Sequence, residues 1–217
     1  MSLTLRKATI ADVATLADIY FSAFTIDAIS LLCFPRENPE VYKWWFDMIT
    51  EELSDPGANH LVVTAPSSTN PSQKEVIAWA LWVAPSSSPS STPTDTDLPT
   101  WPPGSDVVLA NHFFGNLVQR RKRIMGPRPY WYLEIIATRP DWQGKGAAGK
   151  LLRWGLERAD EQGVEAYLEA SPDGKPIYEH FGFKEVERLV VDLDGRDPCG
   201  TGEKEFVEVM MVRPAKR

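Results

Sequence analysis

Leu133-Glu134-Ile135-Ile136-Ala137-Thr138-Arg139-Pro140-Asp141-Trp142-Gln143-Gly144-Lys145-Gly146-Ala147-Ala148-Gly149-Lys150 is the stretch on which the fold turns. An apolar run that begins at Tyr130 breaks at Arg139-Pro140, and glycines then punctuate the chain before an amphipathic segment. This predicts a strand over residues 130–138, a loop over 139–146 and a helix over 147–162. Leu151, Leu152, Gly155, Leu156 and Ala159 form the buried stripe of that helix. Gly163 ends it, and residues 164–170 read as a short strand. Two such strands joined through a helix run parallel, so the whole is a βαβ unit.

Working outward, Leu3-Thr4-Leu5-Arg6 alternates like a first strand. Thr9 or Asp12 can cap the helix after it, whose stripe is Val13, Leu16, Ala17, Tyr20, Phe21 and Phe24. A second helix covers residues 39–53, with Val41, Trp44, Trp45, Met48 and Ile49 facing inward, and Asp55-Pro56-Gly57 ends it. Strands follow over 60–65 and 75–84. Residues 85–104 are dominated by Ser, Thr and Pro, which bury too little apolar surface to offset the entropy of ordering. They read as a surface insertion within a single domain spanning residues 1–217, because neither flank is self-sufficient. A helix over 105–125 comes next, and Gly126-Pro127-Arg128-Pro129 breaks the chain before the central strand. Beyond the βαβ unit come a short helix over 175–181, a strand over 183–193, a polar loop and a last strand over 205–212.

Composition narrows the function. The 217 residues carry a net charge of −7, which argues against a nucleic-acid module with its basic face. The one basic run, residues 120–123, reads as the solvated side of a helix. Cys33 and Cys199 are the only two cysteines, lack zinc-ligand spacing and read as reduced thiols. The first ten residues lack an apolar signal core, and no stretch is long and apolar enough to span a bilayer. A soluble protein of the cytoplasm is expected, the nucleus being the other compartment compatible with this composition. No membrane partner is expected.

The loop at 143–150 fits three phosphate-binding templates. Glycines let the backbone approach an anion, and the free N–H groups at the start of the next helix favour negative charge there. Gly144, Gly146 and Gly149 satisfy G-x-G-x-x-G, with Glu169 about 20 residues beyond. A dinucleotide fold then needs further strand–helix units, and the chain after Ala170 offers only one short helix and an antiparallel pair. Gly144 through Lys150 also spell G-x-x-x-x-G-K, but Leu151 stands where a P-loop needs a hydroxyl for Mg²⁺.

The third template is Gln143-x-x-Gly146-x-Ala148. With its surroundings it resembles the GNAT acetyltransferase superfamily, whose pyrophosphate signature is Gln/Arg-x-x-Gly-x-Gly/Ala. The opening Leu5-Arg6-Lys7-Ala8-Thr9 with Asp12 is similar to that family's first strand and turn. Tyr167-Leu168-Glu169-Ala170-Ser171, Gly174, Tyr178-Glu179 and Phe181-Gly182-Phe183 are similar to its closing strand and helix. The resemblance covers nearly the whole chain. It implies an α/β (α+β) fold: a mixed, mostly antiparallel twisted sheet of about six to seven strands, flanked by helices, with a central splayed parallel pair.

The resemblance also implies acetyl-CoA as co-substrate and no metal. Its pantetheine arm would lie in the gap between the splayed strands, met by the backbone of Ile136, Ala137 and Thr138. Gln143, Gly144, Lys145, Gly146, Ala147 and Ala148 would cradle the pyrophosphate, although Lys145 reads equally as an ordinary exposed lysine. Ser171 stands where the family commonly has Asn, so one amide donor is lost, and Gly174 replaces a usual Ala. Tyr178 matches the family's tyrosine that protonates the leaving thiolate. It reads otherwise as an aromatic packed against Phe181 and Phe183.

The expected reaction is transfer of the acetyl group to a primary amine, of a small molecule or a peptide, by direct attack in a ternary complex. A lysine-like amine has a pKa near ~10.4, so a general base must take its proton. Glu134, a carboxylate inside an apolar strand, is the first candidate, with a structural ion pair as the competing reading, and Glu169 is second. His60, His112 and His180 have no supporting constellation. Tyr20, Phe24, Trp44, Trp45 and Trp131 are candidates to line the acceptor site, with the core as their other place. The alternatives are a non-catalytic CoA-binding module, a longer acyl chain, or a hydroxyl acceptor. Either a monomer or a homodimer fits.

Overall fold

The computed structural model describes residues 2–67, 70, 72–85 and 98–216. Among the described residues seven strands form one sheet: β1 (Thr4–Lys7), β2 (Ala58–Pro66), β3 (Lys74–Val83), β4 (Tyr130–Thr138), β5 (Glu165–Ala170), β6 (Lys184–Asp192) and β7 (Glu205–Arg213). Their order is β1-β2-β3-β4-β5-β7-β6. Every neighbouring pair is antiparallel except β4–β5, which is parallel. The mixed sheet with one central parallel pair is therefore as expected. The helices are α1 (Val13–Ala23), α2 (Ala28–Cys33), α3 (Pro39–Glu52), α4 (Val107–Met125), α5 (Ala147–Gln162) and α6 (Lys175–His180).

Helices α1 to α4 cover one face, where Leu16, Tyr20, Trp45 and Phe113 meet Val62, Trp79 and Leu81 of the sheet. Helices α5 and α6 cover the other, where Leu151, Leu152, Leu156 and Tyr178 meet Ala78, Trp82, Leu133 and Leu168. Each fully buried side chain of this size contributes roughly 1.5–3 kcal/mol. A close approach holds α5: a Cβ built on Gly155 would lie 2.2 Å from the ring of Trp82. Trp82 Nε1 donates to the Leu151 carbonyl at 3.1 Å, tying the indole to the same helix. The start of α5, and the loop that precedes it, are thereby fixed against the sheet.

Between β1 and α1, the Thr9 or Asp12 alternative resolves to both. Thr9 precedes a single 3₁₀ turn, Ile10–Asp12, and Asp12 accepts the Thr9 backbone N–H at 2.8 Å. Arg6 clamps Asp12 with two bonds of 2.7 Å, and this hydrogen bonding holds the Asp12 carboxyl down at about 2.

Helix α2 is absent from the sequence expectations, since six residues are too few to display a helical period. Its local signal is Asp27, which accepts the Ser30 N–H at 2.7 Å as an N-cap. The end of the expected surface insertion is held against the fold. Trp44 Nε1 donates to the Thr100 carbonyl at 2.8 Å, and Trp101 Nε1 donates to Asn111 at 2.7 Å. Trp101 also lies 5.0 Å from the Phe114 ring, so two tryptophans pin this tail onto α3 and α4. Residues 86–97 of the insertion lie outside the described residues. No helix among the described residues is long and apolar enough to cross a membrane.

Candidate active site

The geometry begins with a bulge. Leu81 pairs with Ile135 and Trp82 with Leu133, so the register skips Glu134. A β-bulge of this kind gives one strand an extra residue and re-aims its side chain. Before it, Tyr130 and Tyr132 face α1–α4 while Trp131 and Leu133 face α5; after it, Ile135 and Ala137 face α1–α4 and Ile136 faces α5. Pairing of β4 with β5 stops one residue earlier, at Leu133 and Leu168. From Glu134 onward β4 pairs with β3 alone, whereas β5 continues along β7 to Ala170. Alternate backbone groups of Glu134, Ile135, Ile136, Ala137 and Thr138 thus face an opening, the sheet edge that an extended ligand can join.

The same end of β4 leads into the glycine loop. A 3₁₀ turn, Pro140–Trp142, buries Trp142 and lifts the following residues to the surface. Gly144 has φ 71° and Gly146 φ 87°, left-handed conformations that glycine adopts without strain. A Cβ on either would meet nothing within 4 Å, so the backbone presents an open cradle. Gly146 is the N-cap of α5, and the first N–H groups of that 16-residue helix have no helical partners. Lys145 lies with Nζ 4.9 Å from the Trp142 ring centroid and donates to the Asp141 carbonyl at 2.7 Å. Gln143 Nε2 approaches the Thr138 carbonyl at 3.4 Å. The cradle, its exposed amides and the neighbouring lysine fit a pyrophosphate.

Glu134 opens toward the gap yet is crowded by protein on its other sides. This desolvation, reinforced by Glu52 and Glu169 and opposed by Arg121, pushes its carboxyl up to about 7. Glu169 shares the face and is also raised, mainly by burial. Arg121 comes down from α4 with its guanidinium 4.1 Å from the Tyr132 ring and 3.8 Å from Glu169. Burial opposes its charge, but Tyr132, Glu169 and Glu134 together hold it protonated. The reading of residues 120–123 as a solvated face is therefore corrected at Arg121, while Arg120 and Arg123 do pair outside with Glu187, at 3.0 and 2.5 Å. Phe113, Leu117 and Arg121 follow one another at helical spacing, and that stripe was the available signal.

Tyr178 is buried on the α5 side, edge-on to Phe183 at 6.1 Å. Burial, with Glu208 adding to it, raises its phenol and keeps it protonated. Tyr178 packs in the α5-side core, whereas Glu134 is influenced by Glu52, Glu169 and Arg121. Gly174 makes room for it: a Cβ there would lie 3.1 Å from the Tyr178 ring. Ser171 Oγ accepts the Gly174 N–H at 3.2 Å and so shapes the turn ahead of α6.

Glu208 was missed, whereas His60 takes the structural place expected of a histidine without a supporting constellation. His60 is fully enclosed beside Glu52, Nε2 to Oε2 3.5 Å, and stacks on Trp79 with centroids 5.9 Å apart. Glu208 is buried on β7, on the face shared by Glu169. Trp131 is corrected away from the acceptor side, since it packs against Trp154 and donates to Gln162 at 3.0 Å. Tyr20 and Trp45 stack at 3.8 Å within the core.

Comparison with known proteins agrees with this geometry. Residues 110–193 match the model of the acetyltransferase (GNAT) domain. An uncharacterized N-acetyltransferase of Schizosaccharomyces pombe is 33% identical over 85 residues, 39% of this chain and 32% of its own length. A second from the same yeast is 27% identical over 104 residues, 48% of this chain and 42% of its own. The chain thus spans less than half the length of these curated relatives. Among solved structures, a histone acetyltransferase-related acetyltransferase of Corynebacterium glutamicum superposes with TM-score 0.64 at 23% identity, covering 100% of this chain and 98% of that one. A Drosophila melanogaster polyamine N-acetyltransferase gives 0.65 at 10% identity, covering 97% and 99%. At these identities the structures establish the fold.

Proposed function

We propose that this chain, which belongs to the GNAT acetyltransferase superfamily, transfers the acetyl group of acetyl-CoA to a primary amine by direct attack within a ternary complex. The observation that carries the reading is the coincidence, at one end of β4, of the unpaired edge beyond Leu133, the bulged Glu134 and the open cradle at Gly144 and Gly146. Acetyl-CoA supplies an activated thioester. The α5 amides and Lys145 hold its pyrophosphate, and the free backbone of Ile136, Ala137 and Thr138 aligns the arm beside Glu134. Ser171 bounds the far side of the gap.

The remaining work belongs to side chains. The amine nitrogen must be neutral to attack, and Glu134, raised to about 7, is matched to accept its proton near neutrality. As the C–N bond forms and the C–S bond breaks, the thiolate takes a proton from Tyr178, whose buried phenol remains protonated. The relatives named as N-acetyltransferases support nitrogen as the accepting atom.

The test has two parts. Acetyl-CoA at millimolar concentration should raise Tm by mass action, and the absence of any shift in folded protein sinks the reading. Tyr178→Phe should keep that shift while slowing transfer about a hundredfold. An unchanged rate would remove Tyr178 from the acid role.

A further inference from the structure

A cavity of about 450 Å³ lies outside the candidate active site, between α1, α2 and the start of α3. Asp18, Phe21, Leu31, Arg36, Val41 and Tyr42 are among its walls. It shares no residue with the gap beside β4 or with the glycine cradle. It opens on the outer flank of α1: Leu16 and Tyr20 turn from that helix into the core, whereas Asp18 is exposed. Its volume is within the range of about 300–1,000 Å³ that small-molecule sites occupy.

The walls carry one charge of each sign, and neither is paired. Arg36 is half-buried, with its guanidinium 4.6 Å from the centre of the Phe21 ring. It donates to the carbonyls of Phe34 and Phe24 and to Ser30 Oγ, at 3.0, 3.3 and 2.8 Å. All three acceptors are neutral, and Arg36 makes no ion pair among the described residues; Asp27 and Glu37 act on it only from farther off. A guanidinium has five N–H donors, so two remain. Asp18 also makes no ion pair among the described residues. Its polar neighbour is the neutral Tyr42 hydroxyl, which donates to the Ala14 carbonyl at 3.0 Å. The two charges are too far apart to meet. Arg36 holds the Phe24 carbonyl, six residues along α1 from Asp18, so about 9 Å of helix rise separates them. Phe21 lies between them on α1, and Leu31 and Val41 add to the apolar wall.

We infer that this cavity binds an extended zwitterion, a small molecule with a carboxylate at one end, an ammonium at the other and an apolar chain between them. Arg36 takes the carboxylate, Asp18 takes the ammonium, and Phe21, Leu31 and Val41 meet the methylenes. A charge-assisted bond occupies about 2.7–2.9 Å at each end, so several ångströms remain between the charges of the ligand itself. An α-amino acid carries both charges on one carbon and reaches only one of the two residues. An ω-amino acid reaches both. The occupant is neither acetyl-CoA nor its acceptor, so the inference stands apart from the acetyl-transfer reading.

The experiment is titration calorimetry of the full chain with 5-aminovalerate, its isomer norvaline, pentanoate and pentylamine. 5-Aminovalerate should bind about tenfold or more tighter than pentylamine, which brings nothing to the half-buried Arg36. It should bind about threefold tighter than pentanoate, because a pair with the exposed Asp18 is worth less, and at least threefold tighter than norvaline. Arg36→Met should raise Kd for 5-aminovalerate about tenfold or more. Because Arg36 also holds two backbone carbonyls, the deciding variant is Asp18→Asn at an exposed position. It should raise that Kd about threefold and leave pentanoate unaffected. Equal binding of 5-aminovalerate and norvaline by the wild type overturns the inference, as does an unchanged Kd in Asp18→Asn. Glu134→Gln should leave the Kd for 5-aminovalerate as it is; a change there would place the ligand in the gap and overturn the inference as well.

Discussion

The guanidinium of Arg121 lies 3.8 Å from the carboxylate of Glu169, so one buried cation serves a row of acids. Its charge also lowers the pKa of Glu134, against burial and the repulsion of Glu52 and Glu169. Removing it leaves Glu134 with repulsive neighbours alone. Arg121→Met should therefore shift the rising limb of kcat/KM against pH upward by roughly one on the pH scale or more. Arg121→Lys, which keeps the charge and loses the planar stack on Tyr132, should shift it less. A downward shift would contradict the placement of this cation.

Glu134→Gln should lower kcat/KM by about a hundredfold or more and flatten the pH dependence centred near 7. The same substitution has a stability consequence of opposite sense. A carboxyl raised in the folded state keeps its proton to higher pH than in the unfolded chain. The folded state therefore loses stability as pH rises from the unfolded value of about 4.3 through the folded one, and stays penalised above it. Glu134→Gln should accordingly raise Tm at pH 8 and change it little at pH 4. Thermal melts at the two values decide the matter, and an equal effect at both would mean that Glu134 is not titrating in the fold as described.

Gly146→Ala separates cofactor binding from folding. No atom lies within 4 Å of the added methyl, so the structural cost is confined to placing alanine at φ 87°. That cost is about 1–2 kcal/mol, and the methyl would project into the space above the α5 amides. KM for acetyl-CoA should rise about tenfold or more, with KM for the amine nearly constant. A rise confined to the amine would place the acceptor, and not the pyrophosphate, over this loop.

Much of this was legible in the sequence because it depends on neighbours in the chain. The bounds of β4 and α5 were readable at residues 130–138 and 147–162, since Arg139-Pro140, Gly146 and Gly163 punctuate them. Gly144 and Gly146 likewise advertise a backbone that must turn left-handed. What could not be read is set by tertiary register. The bulge at Glu134 depends on how β3 pairs, and the end of β4–β5 pairing on how β5 turns toward β7. Arg121 sits in a run of four basic residues, and the packing of Phe113 and Leu117 decides which one turns inward. Glu208 follows Phe206 and Val207 in a strand whose neighbours on both faces are apolar, so alternation alone could not assign its face.

Gly155 and Trp82 test whether the rigidity of α5 matters to the site. Alanine is the better helix former by up to ~1 kcal/mol, so propensity alone predicts stabilisation by Gly155→Ala. Packing predicts the opposite: the new methyl would lie 2.2 Å from an indole that is fully buried and hydrogen-bonded to Leu151. Overpacking of this kind costs typically about 1–3 kcal/mol, so packing wins and Tm should fall. Because the ring cannot retreat into solvent, α5 must shift, and its N-cap Gly146 moves with it. KM for acetyl-CoA should rise in Gly155→Ala although residue 155 lies about two and a half helical turns from the cradle. Trp82→Phe costs the Nε1 bond and leaves a void, but it removes the overlapping ring atoms. The double variant Gly155→Ala/Trp82→Phe should then be less destabilised than the two single changes added together. Strict additivity, or an unchanged Tm in Gly155→Ala, would show that α5 accommodates the methyl without moving.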